Sequence, residues 1–279
     1  SRGLGDVYKR QAILNLMPTK IVTETQLLRL LSNTPLQIDV TLLTTATYTS
    51  KNTDKSHLDA FYKTFDEVKS VKFDGLIITG APVEYLEFDK VSYWQELCEI
   101  IDWANANVFS TLYVCWGAFA GLYHNYGIEK YPLSVKISGV YRHHTLIPSH
   151  PLVRGFDEYF NAPHSRFSYV LRDDIISCSD LELLAESDDA GVYLAASKDM
   201  RQIYVTGHPE YDSDTLKLEY ERDMLKGISP IVPKNYFPGN DPSKQPHNSW
   251  RSHAHLLYSN WLNYCVYQTT PYNIEEIGR

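Results

Sequence analysis

Apolar positions along the chain follow two alternating rhythms, short continuous runs of strand length and longer stretches with helical spacing. Ala12 to Met17 reads as a buried strand ended by Pro18. Thr23 to Leu31 reads as a helix, with Leu27, Leu28, Leu30 and Leu31 on its apolar side and Thr23 and Gln26 fitting a capping box. Leu36 to Leu43 alternates as a second strand, and Ser56 to Phe65 is a short amphipathic helix. Asp74 to Thr79 is apolar without a break, as a strand covered on both faces must be. Ser92 to Ala106 is a helix, Phe109 to Cys115 another buried strand, and Gly117 to Tyr126 turns helical straight after it. This repetition predicts a parallel sheet with helices on both sides.

The second half is less regular. Lys136 to Thr145 suggests a strand or hairpin. Leu181 to Ala185, Val192 to Ala196 and Gln202 to Thr206 are short strands, and Ser213 to Lys226 is a helix. Ile228 to Gln245 is proline-rich and reads as a long irregular loop. Trp250 to Tyr267 is a last helix, with Trp250, Leu257, Trp261 and Tyr264 near one face. No linker divides the chain. The organisation expected is an atypical polar N-terminal segment, residues 1–11, followed by one α/β domain over 12–279 with a decorated second half. The first segment is either an artefactual addition or an ordinary terminus.

Composition narrows the function classes. The net charge of −8 argues against nucleic acid, which needs a basic face. No apolar run is long enough to span a membrane. Cys98, Cys115, Cys178 and Cys265 form no CxxC pair and read as the reduced thiols of a cytoplasmic protein. No metal is expected. His143 and His144 point to opposite faces of a strand, and His253 and His255 do not share a helix face.

Three strings carry candidate chemistry. Cys115 lies where a buried strand meets a helix, so a sharp turn would lift its thiol clear of the backbone, as in a nucleophile elbow. The following helix N-terminus favours thiolate. A buried core cysteine is the competing reading of this string alone. His208 follows a strand, and Pro209 holds it extended, so His208 and Glu210 can project to the same side. Glu210 could then orient the imidazole as the acid of a triad does. After the strand ending at Thr79, Pro82 lacks an N–H, leaving Val83 or Glu84 as the loop's donor; with the Trp116 N–H it could form an oxyanion hole.

These strings, with ILNLMPTKIVTETQLLRLLSNTPLQ, FDGLIITGAP, STLYVCWGAFAGLYHNYGI, SGVYRHH, APHSR, VTGHPEYD, NYFPGNDP and WRSHAHLLYSNWLNY, resemble the homoserine O-acyltransferases of the homoserine transsuccinylase family. That family is similar in fold to class I glutamine amidotransferases, and the likeness runs from Ile13 to Tyr272. It implies a flavodoxin-like, mostly parallel sheet flanked by helices. It also implies ping-pong acyl transfer from an acyl-CoA co-substrate to L-homoserine, in methionine biosynthesis, with no tightly bound cofactor and a homodimer expected. By positional matching, Cys115 is the nucleophile, His208 the base, and Glu210 its orienter. Val83 and Trp116 supply oxyanion donors, Arg222 pairs with the substrate carboxylate, and Lys136 and Ser165 line the pocket.

Glu84 is the informative position. Succinyl-using members resemble this chain but carry glycine there, whereas acetyl-using members carry glutamate. A carboxylate beside the acyl pocket repels the distal carboxylate of succinyl and fills its space. The expected donor is therefore acetyl-CoA. Succinyl-CoA as donor, serine as acceptor, a glutamine amidotransferase-type hydrolase and a non-enzymatic binding protein are the alternatives.

Overall fold

The continuous apolar runs form the centre of one ten-stranded sheet in the computed structural model, which describes residues 8–47 and 53–268. The strands are β1 (Lys9–Leu14), β2 (Ile38–Thr44), β3 (Tyr62–Thr64), β4 (Phe73–Ile78), β5 (Val108–Val114), β6 (Tyr131–Thr145), β7 (Tyr159–Tyr169), β8 (Leu181–Ser187), β9 (Gly191–Ser197) and β10 (Gln202–Val205). Their spatial order is β3-β2-β1-β4-β5-β10-β9-β8-β6-β7. From β3 to β10 every pairing is parallel. From β10 to β7 every pairing is antiparallel. Leaving out the short β3, the parallel half reads β2-β1-β4-β5-β10, the flavodoxin-like order.

Side-chain alternation divides the core between the two faces of the sheet. Leu14, Ile78 and Tyr113 face one cluster, under α4 (Trp94–Asn107) and α5 (Trp116–Tyr126). Ile13, Ile77, Leu112 and Val114 face the other, under α1 (Lys20–Leu31) and α8 (Arg251–Asn260). Ile77 and Leu112 are wholly buried, so truncating either to alanine should cost about 2–5 kcal/mol. Burial on both faces is why β4 and β5 read as unbroken apolar runs. The helix after β10 and its loop is α7 (Thr215–Leu225).

Several local expectations shift. β1 begins at Lys9, within the segment set apart as residues 1–11, and the Lys9 ammonium sits 3.1 Å from the Asp74 carboxylate of β4. Residues 1–7 lie outside the described residues. Helix α1 starts at Lys20, so Thr23 and Gln26 lie inside it and form no capping box; Gln26 instead donates to Thr215 Oγ1 at 3.0 Å. A capping box does occur at Thr64 and Glu67, where the helix expected over 56–65 breaks into α2 (Lys55–Phe61), β3 and α3 (Phe65–Val68). The last helix ends its α geometry at Asn260 and continues as π-helical turns over Trp261–Tyr267. That change of register buries Trp261, Leu262, Cys265 and Val266, while Tyr264 meets Arg154 at 2.9 Å.

The largest departure is β7, which runs through the APHSR string. A proline inside a strand argues against a central position. β7 resolves the conflict by lying at the sheet's edge, where among the described residues its one strand partner is β6.

Candidate active site

Parallel neighbours β4, β5 and β10 end at one edge of the sheet, so the loops after them converge there. Cys115 stands between β5 and α5 with φ +50° and ψ −115°, a strained conformation for a residue with a Cβ. Its N–H donates to the Val205 carbonyl of β10 at 2.7 Å, which pins the turn. Gly117 lets α5 close onto β4: a Cβ there would stand 2.7 Å from the Thr79 carbonyl oxygen and 2.8 Å from that of Ile78. The elbow expected at Cys115 is therefore present. Trp116 opens α5, where an N–H has no acceptor within the helix.

His208 is held from three directions. Its N–H donates to the Pro163 carbonyl at 2.8 Å. Its Nδ1 lies 2.7 Å from Glu210 Oε1, and its ring stacks on Tyr211 at 4.2 Å. The side-chain convergence expected of His208 and Glu210 is what the structure has. Cys115 and His208 lie side by side: a Cβ on Gly80 would stand 3.3 Å from Cys115 Cβ and 3.4 Å from His208 Cε1. Burial opposes a charge on His208, but the neighbouring Cys115 and Glu210 outweigh it, and its pKa stands well above the ordinary imidazole value. Burial likewise pushes the Cys115 thiol up, and His208 works against that push. The net shift of the thiol is upward, so the thiolate a nucleophile needs is drawn out by passing its proton to His208.

Glu84 does not point to solvent. Its Oε1 lies 3.7 Å from Cys115 Sγ, and its Oε2 accepts the Phe167 N–H. Burial raises its pKa. Together with Cys115 and His208 it lines a cavity of about 290 Å³. Lys136, Ser165 and Arg222, the residues the family resemblance had implied, line the same cavity. Arg222 is half exposed and held by Asp223 at 2.8 Å. Val83 fits its expected place less well: its N–H donates to the Ala81 carbonyl at 2.9 Å, and its side chain faces a separate hollow with Pro82 and Leu86.

Sequence reasoning missed the group that ties this pocket together. Glu219 of α7 accepts from Ser165 Oγ at 2.5 Å and from Tyr211 OH at 2.7 Å, and lies 3.4 Å from Lys136 Nζ. The available signal was its spacing: Glu219 is three residues from Arg222 and shares its helix face. Arg166 of β7 was missed as well. Its guanidinium is buried, donating to His164 Nδ1 at 3.2 Å, to the Ser168 carbonyl at 2.6 Å and to the Ala190 carbonyl. Burial lowers it to about 10, and its charge favours the anionic forms of Cys115 and Glu84.

His143 and His144 do face opposite ways. His143 is buried against His164, Nε2 to Nε2 2.9 Å, and burial pushes it down to about 3; His144 lies 3.8 Å from Glu186. Among the described residues no three His, Cys, Asp or Glu side chains group to hold a metal ion. Nor, among those residues, is any helix long and apolar enough to cross a membrane.

Comparison with known proteins bears on the fold and the family. The fold is similar to a glutamine amidotransferase from Thermotoga maritima, at TM-score 0.59 and 12% identity over 92% of this chain and 97% of that one. A glutamine amidotransferase from Methylobacillus flagellatus matches at TM-score 0.56 and 11% identity, over 91% and 93%. Among curated proteins, the homoserine O-acetyltransferase of Acetivibrio thermocellus is 58% identical over 96% of this chain and 88% of its own. That of Petrotoga mobilis is 59% identical over 96% and 86%. The family model described as homoserine O-succinyltransferase matches residues 9–272. With that span and those relatives, the chain belongs to the homoserine O-succinyltransferase family, whose members are homoserine O-acyltransferases with acyl-CoA as co-substrate.

Proposed function

We propose that this chain is a homoserine O-acetyltransferase that works through an acetyl-Cys115 intermediate. The Cys115 sulfur attacks the thioester carbonyl of acetyl-CoA. The oxyanion that forms meets the Trp116 N–H, and the Val83 N–H once it leaves the Ala81 carbonyl. The carbon–sulfur bond to CoA breaks, and the CoA sulfur takes the proton held on His208. The L-homoserine hydroxyl then gives its proton to His208 and attacks the acetyl carbon. Cys115 leaves as thiolate, and O-acetyl-L-homoserine is released. Glu210 holds the imidazole through Nδ1 in both halves.

The pocket's charges match the acceptor. Arg222 takes the homoserine carboxylate and Glu219 its ammonium group, with Lys136 and Ser165 setting the position of Glu219. The observation that carries the choice of donor is Glu84, whose carboxylate lies 3.7 Å from the nucleophile. The relatives named above as acetyltransferases point the same way. The test is thiol release with homoserine and either acetyl-CoA or succinyl-CoA. A higher kcat/KM with succinyl-CoA would overturn the donor, and a higher kcat/KM with serine than with homoserine would overturn the acceptor.

A further inference from the structure

A second hollow of about 230 Å³ opens beside the catalytic cavity. The two share Lys136, Phe167, Glu219, Asp223 and Ile228, so they adjoin. Homoserine and an acetyl group are small enough for the inner cavity alone. The outer hollow needs a different occupant, and that occupant must end at Cys115.

We infer that the outer hollow is the channel for the pantetheine arm of the acyl-CoA. This rests on the acetyl-CoA reading of the site. One wall is β6. Its ladder with β7 skips between Pro132 and Ile137, so residues 133–136 stand outside that pairing. Backbone amides of that kind suit the amide groups of the arm. The other wall is the segment after α7, with Ile228, Pro230, Ile231 and Pro233. It is held at a fixed distance, because Lys234 N–H donates to the Ser138 carbonyl at 2.9 Å and Val140 N–H to the Lys234 carbonyl at 2.8 Å. Prolines also keep that wall rigid and low in donors. Val135 and Ile231 both line the hollow at 54% and 65% exposure, a large apolar area to leave uncovered. A thin, uncharged arm of methylenes, methyl groups and amides fits this lining. A free amino acid, charged at both ends, does not.

The experiment substitutes one wall at a time, Ile231→Trp to fill the hollow and Val135→Asp to charge it. Binding of CoA itself is measured by calorimetric titration. In parallel, kcat/KM is measured with acetyl-CoA and with S-acetyl-N-acetylcysteamine, a thioester lacking most of the arm. Both variants should weaken CoA binding by about ten-fold or more. They should also lower the preference for acetyl-CoA over the short thioester by a similar factor. Thermal unfolding and turnover of the short thioester report that each variant is folded. Unchanged CoA affinity in both variants, or a loss confined to KM for homoserine, overturns the channel. Absence of acetyl-CoA turnover in the wild-type protein would overturn the donor reading instead, and CoA titration would still judge the channel.

Discussion

Replacing Glu84 by glycine should move the enzyme's donor preference toward succinyl-CoA. The Glu84 carboxylate lies 3.7 Å from the sulfur that carries the acyl group. A succinyl chain on that sulfur carries a second carboxylate into the same cavity, and an approach of about 4 Å to Glu84 sets the scale of the repulsion. At an effective dielectric of about 20, two such charges repel by about 4 kcal/mol. That corresponds to a factor of about 10³ in rate. The burial that raises the Glu84 pKa reduces the charge and trims this figure. Removing Glu84 also frees the Phe167 N–H to bind the succinyl carboxylate, which adds to it. The expected outcome for Glu84→Gly is a rise of about two to three orders of magnitude in the succinyl-to-acetyl ratio of kcat/KM. Glu84→Gln keeps the volume and drops the charge, so it should give a smaller rise. The assay is thiol release with each donor at saturating homoserine. An unchanged ratio in Glu84→Gly would refute the argument, and equal ratios in the two variants would refute the part played by space.

Further predictions follow from the same geometry. Glu210→Gln removes the charge that supports imidazolium on His208, so the pH at which Cys115 becomes alkylated by iodoacetamide should rise, and kcat should fall about 10²–10⁴-fold. Unchanged alkylation would contradict the pairing. Gly117→Ala places a methyl group 2.7 Å from the Thr79 carbonyl oxygen, so it should cost about 1–3 kcal/mol of stability; thermal melts check this. His143 and His164 are both buried and lowered, so the stability they allow is present above about pH 6.5 and is lost as pH falls. Each should cost about 2 kcal/mol at pH 5. His208, raised rather than lowered, contributes fully below its unfolded value and does not reverse the fall. Denaturant titrations at pH 7 and pH 5 measure the loss, and His143→Gln should remove about half of it.

The parallel half of the fold was legible because two-sided burial writes itself as continuous apolar runs, seen in β4 and β5. Cys115 and His208 stood out as candidates because each follows such a run, with Glu210 two residues beyond His208, but the string around Cys115 fits a core cysteine as well, and it was the family resemblance that favoured the nucleophile. The antiparallel half was not. β7 carries Pro163, His164 and Arg166, all buried, so it shows no apolar alternation. Arg166 finds His164 and Ser168 on its own strand, but its burial also needs the Ala190 carbonyl, far along the chain. Glu219 was hidden for the same reason. On its helix it resembles Glu221, and only the fold brings Ser165 and Tyr211 to it. The register of α1 and the π-helical end of the last helix also depend on packing rather than on local pattern.

The central claim is that Cys115 carries the acyl group. Incubating the protein with acetyl-CoA in the absence of homoserine, then mapping the acid-quenched peptides by mass spectrometry, tests it most directly. One acetyl group should appear on the peptide bearing Cys115, be lost on adding homoserine with formation of O-acetyl-L-homoserine, and be absent from Cys115→Ala. No adduct on the wild-type protein, together with full turnover by Cys115→Ala, would contradict it.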